Sequence, residues 1–539
     1  MRRWLPLIIL AAAQFVMVLD SSVMNVSISQ IVADLDTTVT GVQLAITAYT
    51  LVMAAFMLVG AKLGDIWGRD RAFGIGLAVY GLGSLTTALS PSLPVLLLGW
   101  SLVEGLGAVL VIPAIAALTA ANYQGKERAF AYGIIGGVAG AAIAVGPVIG
   151  GWVTTNFTWR LVFVGEVVVV LAILVVRKRM QPAPRPEHPP KLDFGGAALS
   201  ALGLGLIVIG ILQSSSWGWL QPRDAPTIGG DEITPLGFSL VPFLIVGGVL
   251  LLWFFGLWEE RRERLGQDTL LERALLRIQS LRAGLATLMS QQLVLMGTFF
   301  VLPVYLQVVL GLDAFETGKR LLPMSITMLI AALAGPKLAA RLAPRLVVQI
   351  GLAAMVVAGL VLVGTIDVEL NETWFKLSLA LFGIGAGLLM SQLGNVIMSS
   401  APPGKTNEAG GLQGTAQNLG ASLGTALIGS VLLAGLLTGF STRIAENPTL
   451  SEPLRAQIQA ATEQGIDIVT TEQARAAAVS AGLTPAEADA VTADYADAQL
   501  EALKKAMLAV ALLALLSLMF TRRLPGKQST EEPEATISV

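Results

Sequence analysis

Fourteen long apolar runs recur along this chain between residues 5 and 521, and they constrain its fold more than any other feature. A helix needs about 20 apolar residues to cross the hydrocarbon core of a bilayer. Only 13% of the 539 residues are charged, against roughly 25% in soluble domains, so the chain cannot cover itself with a solvated surface. The sequence therefore predicts an all-α, multi-pass membrane protein.

Hydropathy over windows of about 19 residues predicts where these helices lie. The predicted transmembrane spans are 5–30, 42–60, 72–90, 94–120, 129–152, 158–176, 195–213, 237–258, 284–309, 319–340, 347–366, 375–399, 409–436 and 503–521. An even number of spans places both termini on one side. The loops on that side hold 25 of the 35 lysine and arginine residues, so we expect both termini to be cytoplasmic and the protein to lie in the cell membrane.

Three segments need separate interpretation. Arg2, Arg3 and the following apolar run also fit a cleaved signal peptide, but the run continues past Val26, which favours an uncleaved first span. The proline-rich stretch 181–190 contains the only histidine, His188, and is typical of an extended cytoplasmic linker. Residues of about 440–500 are rich in alanine and glutamate and predict an external loop with short amphipathic helices.

An internal repeat divides the chain. The stretch from Gly60 to Arg69 resembles the stretch from Gly335 to Pro344, an offset of 275 residues. The same offset places spans one, four and five onto spans nine, twelve and thirteen. We therefore expect two six-helix halves, with spans seven and eight inserted between them. Parallel repeats of this kind imply a pseudo-twofold axis along the membrane normal and a central cavity.

Four ordered motifs follow this topology. They are Leu19-Asp20-Ser21-Ser22-Val23-Met24-Asn25-Val26 in the first span, Gly60 to Arg71 after the second, Gly146-Pro147-Val148-Ile149-Gly150-Gly151 in the fifth, and Trp159-Arg160 with Phe163 at the sixth. The second motif contains Asp65, Gly68, Arg69 and Arg71. Asp65 can pair with Arg69 or Arg71 to latch two helices in one state of a transport cycle, or these charges can belong to a solvated loop. The glycines and Pro147 allow close helix packing, gating or both.

With these motifs the chain resembles the major facilitator superfamily, specifically its fourteen-helix drug:proton antiporter branch. The resemblance implies the major facilitator fold and a secondary active transporter rather than an enzyme. The expected domains are an N-terminal half (1–180), a linker with two inserted helices (181–280), a C-terminal half (281–525) and a cytoplasmic tail (526–539). The implied function is proton-coupled export of small amphipathic compounds. Transport of a lipid or metabolite by the same cycle, or a non-transporting sensor or scaffold, are the alternatives.

Three carboxylates inside predicted spans give the sharpest functional signal, because a charge at mid-bilayer is costly and usually functional. Asp20, Glu104 and Glu166 lie at similar middle-to-outer depths. Burial favours the neutral form of a carboxyl group, which suits a residue that binds and releases protons. Asp20 is a candidate for proton or cation coupling, or it makes a static hydrogen bond to a neighbour such as Asn25. Glu166 is a further candidate for proton coupling, or it is a structural partner of Arg160.

The chain departs from the family pattern in its fourth span. Ser101 stands where the family usually has arginine, and Glu104 stands where it has glutamine. Glu166 replaces an asparagine in the sixth span, and Ala61 and Ala142 replace glycines. These departures lead us to expect that Asp20 and Glu104 form a carboxyl pair that shares a proton, in place of an arginine-assisted relay.

Polar and aromatic side chains in the spans are candidates for the substrate cavity, although each can equally hold helices together. The predicted cavity residues are Asn25, Tyr49, Ser101, Gln291, Gln292, Gln392 and Asn395. The acids favour a cationic or zwitterionic small-molecule substrate. We expect no cofactor, metal or nucleic acid partner, and a monomer in the lipid bilayer. The pattern Gly-x-Ser-x-Gly at 420–424 lies in a helical run without a nearby base and does not indicate a hydrolase.

Overall fold

A computed structural model describes residues 4–180, 191–223, 225–228, 231–339, 341–402, 405–463 and 466–526. This part of the chain is almost entirely helical. It also contains a short antiparallel ribbon of β1 (Thr227–Ile228) and β2 (Asp231–Glu232). The predicted linker 181–190 with His188, and the tail beyond residue 526, lie outside the described residues.

A long helix occupies the position of every predicted span. The helices are α1 (Leu5–Val26), α2 (Val39–Trp67), α3 (Arg69–Ala88), α4 (Leu93–Leu96, Leu97–Glu104 and Gly105–Asn122 in direct succession), α5 (Gly125–Asn156), α6 (Arg160–Val176), α7 (Phe194–Trp217), α8 (Leu240–Arg264), α9 (Gln279–Val304, continued by a π-helical turn Tyr305–Val309), α10 (Ala314–Ala339), α11 (Pro344–Thr365), α12 (Glu372–Ser400), α13 (Thr406–Glu446) and α14 (Pro485–Thr521). Shorter helices are Ile28–Asp34, Arg177–Arg179, Pro235–Gly237, Arg273–Arg277, Glu452–Glu463 and Thr471–Ser480.

Eleven of these helices are long and apolar enough to cross a membrane by length and composition. The other three are α3, α6 and α10. The α6 helix has 17 residues, and α3 and α10 each carry at least three charged residues. The multi-pass helical architecture agrees with the sequence, while the count of fourteen membrane spans stays a prediction.

The helices pack as two groups that meet along two helix pairs. In the first group α1 packs on α5, and α3 packs on α4 and α6; in the second, α10 packs on α12, and α9 on α13. The groups touch chiefly through α5 against α10 and α2 against α13. Under the 275-residue repeat, α2 corresponds to α10 and α5 to α13, so the two contacts are equivalent. A pseudo-twofold axis between the halves produces this pattern.

The inserted helices α7 and α8 pack on each other, and α7 also contacts α2 and α13. A buried carboxylate, Asp193, stabilises the end of this pair that is predicted to be cytoplasmic. Asp193 accepts a hydrogen bond from the backbone N–H of Gly196 at the start of α7 and two from the Trp258 indole of α8. Because α7 contacts both α2 and α13, the inserted pair lies beside the contact between those two helices.

The segment predicted to be an external loop is shorter and more helical than its composition suggests. The α13 helix extends to Glu446 and α14 begins at Pro485, 18 residues before the predicted start of the last span. Between them, Asp467 accepts a 3.5 Å hydrogen bond from the Thr40 hydroxyl of α2, which places this segment against the first half. Burial raises the pKa of the Asp467 carboxyl, and the bond from Thr40 opposes this shift.

Candidate functional site

Three acidic side chains from three different helices meet inside the first half. Asp20 of α1, Glu104 of α4 and Glu166 of α6 each contribute a carboxylate oxygen, and these oxygens lie within 4.8 Å of one another. The three residues are 0%, 0% and 2% exposed. We call this group the carboxyl cluster. The structure places Asp20 and Glu104 as close together as the sequence suggested, and it adds Glu166.

Local helix geometry explains how Glu104 reaches the cluster. Glu104 ends a π-helical segment, Leu97–Glu104, within α4, and short π-helical segments of this kind occur frequently at functional sites. The α3 helix passes very close to this segment, because a Cβ atom on Gly83 would collide with the Glu104 backbone. Gly107 of α4 similarly allows close contact with the backbone of Tyr80. The two glycines bring the polar face of α3 next to the acids.

Three hydrogen-bond donors surround the cluster. The Tyr80 hydroxyl and the Ser84 hydroxyl donate to Oε2 of Glu166 at 3.3 Å and 3.1 Å. The Trp100 indole donates to Oδ1 of Asp20 at 2.8 Å, and its ring stacks on Tyr49 with a centroid separation of 4.7 Å. The other four carboxylate oxygens of the cluster are buried without a hydrogen-bond partner among the described residues. The cluster therefore retains capacity for protons or for a bound cation.

Two of the partners suggested by the sequence are wrong. Arg160 pairs with Asp34 at 2.8 Å rather than with Glu166, because Glu166 points from α6 toward α3 and the other acids. The Asn25 amide donates to the backbone carbonyl of Ser21, one helical turn earlier, and so does not bind Asp20. In the described part of the chain, no ion pair involves a member of the carboxyl cluster.

Like charges this close cannot all persist in a buried site. Two ionised carboxylates 4.8 Å apart repel each other by about 3.5 kcal/mol at an effective dielectric constant of about 20. Protons or a cation relieve this repulsion. The sequence showed no metal-ligand spacing, yet three carboxylates in one place are the oxygen ligands that hard cations take. Chemically, the carboxyl cluster can exchange protons or hold such a cation.

The predicted cavity residues lie mostly inside helix contacts. Asn25, Tyr49, Ser101, Gln291, Gln292 and Gln392 are buried, whereas Asn395 is exposed. The Ser101 hydroxyl donates to the Ala45 carbonyl of α2, and the Gln291 amide donates to the Ala386 carbonyl of α12. These bonds hold neighbouring helices together. A direct role in substrate binding stays a prediction for all seven residues.

The loop motif forms an ion pair at the junction of α2 and α3. Arg69 binds the Asp65 carboxylate at 2.5 Å, and Arg69 is only 6% exposed. Gly68 connects the two helices with a φ angle of 90°, which favours glycine because side chains clash in that conformation. Arg71 is exposed at the start of α3. The pairing of Asp65 agrees with the first of the two partners expected from the sequence.

The glycine motif of α5 makes close contacts on two sides. A Cβ atom on Gly146 or Gly150 would collide with Ser22 or Val23 of α1. On the other side, a Cβ atom on Gly151 would meet the Ala314 backbone of α10, and the Pro147 carbonyl lies against Gly318. The motif thus packs one helix of its own half and one helix of the other half. Its position at the contact between halves explains how packing and gating can depend on the same residues.

Gln307 joins the two halves and was not among the residues predicted from the sequence. The Gln307 amide donates to the Val26 carbonyl at 2.9 Å, and its carbonyl oxygen accepts from the Ser29 backbone N–H at 3.1 Å. Val26 and Ser29 flank the break at Ser27, where α1 ends and the helix Ile28–Asp34 begins. We call these two bonds the external bridge, because they lie at the end predicted to be external. A neutral amide at the end of an apolar span gives little signal in the sequence.

Several curated proteins are similar in sequence to this chain over most of its length. A tetracenomycin C resistance and export protein of Streptomyces glaucescens is 28% identical over 86% of this chain and 82% of its own length. The puromycin resistance protein pur8 of Streptomyces alboniger is 30% identical over 80% of this chain and 82% of its own length. The multidrug resistance protein Stp of Mycobacterium tuberculosis is 26% identical over 80% and 76%.

Solved structures match the fold at low sequence identity. A bacterial homolog of the human lysosomal transporter Spinster, in an inward-facing and unoccupied conformation, has a TM-score of 0.62 at 14% identity, covering 97% of this chain and 98% of its own. A D-xylose–proton symporter has a TM-score of 0.58 at 9% identity, with coverage of 97% and 98%. The family model described as Major Facilitator Superfamily matches residues 10–425. This chain is therefore a multi-pass membrane transporter, not an enzyme, and belongs to the Major Facilitator Superfamily.

Proposed function

We propose that this transporter exports small amphipathic compounds, cationic or zwitterionic in character, in exchange for protons. The observation that carries the proposal is the carboxyl cluster: three buried acids within 4.8 Å, with four oxygen atoms that lack a hydrogen-bond partner among the described residues. An acid that stays buried merely for stability is normally paired or fully hydrogen-bonded. A group of acids left in this state is suited to changing its protonation during a cycle.

A difference between the two halves supports the assignment of proton coupling to the carboxyl cluster. The 275-residue offset carries Asp20 to position 295 and Glu104 to position 379, and both positions hold buried leucines. The acids at this depth therefore belong to the first half, whereas the two equivalent positions of the second half hold apolar side chains. The two halves can then divide coupling and substrate accommodation between them.

The state of the helix bundle fits alternating access. Hydrogen bonds between the halves lie toward the predicted external end, where Gln307 binds α1 and the Phe315 backbone N–H donates to Thr155 at 3.1 Å. On α2, the Gln43 amide donates to the Thr425 carbonyl of α13 at 3.0 Å. These contacts support a state that is closed externally, which in a rocking mechanism is the state that loads cargo from the cytoplasm.

The names of the relatives support export of drug-like compounds, since two of them refer to resistance or export of tetracenomycin C and puromycin. Acids in the site favour a cargo with positive charge. Sodium ions are the alternative coupling ion, because carboxylate oxygens also bind hard cations. The experiment therefore has to vary protons and sodium separately.

Purified protein in proteoliposomes tests the proposal. Uptake of puromycin and of tetraphenylphosphonium is measured with an imposed pH gradient, with a sodium gradient, and with neither. We expect accumulation that follows the pH gradient and disappears with a protonophore. Accumulation driven by sodium alone would replace protons as the coupling ion. Flux without dependence on any gradient, or no flux for either probe, would contradict proton-coupled export.

A matched pair of variants links the result to the site. Glu104→Gln keeps the size of a cluster side chain but cannot ionise, and we expect it to lose gradient-driven accumulation. Glu316→Gln removes an acid that pairs with Lys319 on the exposed surface and serves as the control. Equal loss in both variants would show that the effect is not specific to the carboxyl cluster.

A further inference from the structure

An apolar groove leads from the outside of the helix bundle to one member of the carboxyl cluster. The groove lies between α1, α5 and α6, and its volume is about 550 Å³. Phe15 and Leu19 line its floor on α1, Ile149 lines it on α5, and Leu161, Gly165 and Glu166 line it on α6. We call it the α1/α5/α6 groove. Its volume falls in the range of sites that bind drug-sized ligands.

The groove faces the surrounding bilayer. Leu161 and Ile149 at its rim are 45% and 37% exposed, and among the described residues α6 makes its main helix contacts within its own half. A second groove of about 430 Å³ shares Ala11 and continues along α1 to Trp4 and Phe130, toward the predicted cytoplasmic end. Together the grooves form an apolar path from the cytoplasmic leaflet to the depth of Glu166.

Glu166 is the only polar residue among the described residues that line the α1/α5/α6 groove. Its Oε1 atom is buried and has no hydrogen-bond partner in the described part of the chain, while Oε2 accepts hydrogen bonds from Tyr80 and Ser84. Glu166, a member of the carboxyl cluster, is the one acid among the described residues that line this apolar channel, and it complements a ligand with an apolar body and one positive charge. A fully apolar acyl chain would fill the groove but would leave this carboxylate unmatched.

We propose that the α1/α5/α6 groove is a membrane-facing binding site for a lipophilic ammonium compound, whose cationic head pairs with Glu166. The compound enters from the lipid side, separately from the central cavity that the internal repeat predicts between the halves. Binding itself does not require proton coupling. The inference rests on the proposed function only in that the bound compound then becomes cargo of the export cycle.

Gly165 provides a specific way to block the groove. A Cβ atom added at Gly165 meets no atom within 4 Å, so a larger side chain projects into open space without disturbing the fold. Gly205 of α7 is equally open and lies far from the groove in the sequence. Gly165→Leu and Gly205→Leu are therefore a matched pair in which only the first fills the site.

The test uses two diazirine-labelled probes, dodecylamine and dodecanol, on protein in phosphatidylcholine nanodiscs. After illumination, mass spectrometry locates the modified residues. We expect dodecylamine to label α6 around Leu161, and Gly165→Leu to lower this labelling about tenfold or more while Gly205→Leu leaves it unchanged. Glu166→Gln should weaken amine labelling about tenfold, because a buried charge pair is lost. Labelling by dodecanol should not respond to Glu166→Gln.

Equal labelling by amine and alcohol would identify a site for lipid chains and overturn the proposal, as would amine labelling confined to other helices. The smaller Gly165→Ala change, with a partial loss of labelling, guards against misfolding as the cause. Gradient-driven uptake of the amine is measured in parallel. Uptake without groove labelling would refute the groove alone, whereas groove labelling without gradient-driven uptake would refute the proposed coupling and leave the groove in place.

Discussion

The external bridge should hold the transporter in its externally closed state, and Gln307 is the residue that tests this. Its side chain makes two hydrogen bonds across the halves, to the Val26 carbonyl and from the Ser29 backbone N–H. Gln307→Leu keeps a similar volume but can make neither bond. Because Gln307 is 5% exposed, leucine is tolerated there without new contact with water.

The size of the effect follows from the two bonds. An intramolecular hydrogen bond contributes about 0.5–1.5 kcal/mol net, so losing both costs the externally closed state about 1–3 kcal/mol. If the bonds are absent from the externally open state, the ratio of the two states changes roughly 5- to 150-fold. The Val26 carbonyl and the Ser29 N–H regain water when the end opens, which supports the upper part of this range.

The chain has no cysteine, which makes a distance measurement straightforward. Spin labels at Ala33→Cys and Val368→Cys, both exposed near the predicted external end of different halves, report the opening by pulsed electron spin resonance. We expect Gln307→Leu to increase the population at long distance. Gln349→Leu is the control, because in the described part of the chain the Gln349 amide donates a hydrogen bond to Thr521, which lies within the same, second half.

An unchanged distance distribution in Gln307→Leu, with normal expression and thermal stability, would refute the reasoning. The same increase in Gln349→Leu would show that lost glutamine hydrogen bonds loosen the protein generally. A shift confined to Gln307→Leu would support the external bridge as the contact that holds this end closed.

Two further predictions address the helix contacts and the carboxyl cluster. Gly151→Val should push α5 from the Ala314 backbone and lower stability by about 1–3 kcal/mol, the usual range for overpacking. Gly136→Val, where a Cβ meets nothing within 4 Å, should leave the thermal unfolding midpoint nearly unchanged. Trp100→Phe removes the indole N–H that donates to Asp20, so the pH profile of exchange should differ from that of the unmodified protein. An unchanged pH profile would show that Trp100 does not take part in proton coupling.

The helices could be predicted from the sequence because apolar length is a local property. Their ends were harder to predict where a helix leaves the membrane. The α14 helix begins with a capping box in which the side chains of Thr484 and Glu487 each bind the other's backbone N–H. That spacing is visible in the sequence and would have placed the start of α14 correctly. The alanine-rich composition instead suggested a loop.

The members of the carboxyl cluster could be named individually, but their meeting could not be predicted. Asp20, Glu104 and Glu166 are separated by more than 60 residues along the chain. The rotation of α6 about its own axis decides whether Glu166 faces lipid, Arg160 or the other acids, and that rotation depends on how α6 packs on α3. No local pattern contains this information. The external bridge depends in the same way on the relative position of the two halves.

Proton-driven accumulation by the Asp20→Asn variant tests the central claim most directly. Asparagine keeps the shape of the side chain and can still accept the Trp100 hydrogen bond, but it cannot change charge. We predict that Asp20→Asn still binds puromycin or tetraphenylphosphonium in proteoliposomes yet fails to accumulate it along a pH gradient. Asp497→Asn, at an exposed acid in the part of α14 predicted to be external, should accumulate the probe normally. Accumulation by Asp20→Asn at the level of the unmodified protein would show that coupling does not depend on Asp20.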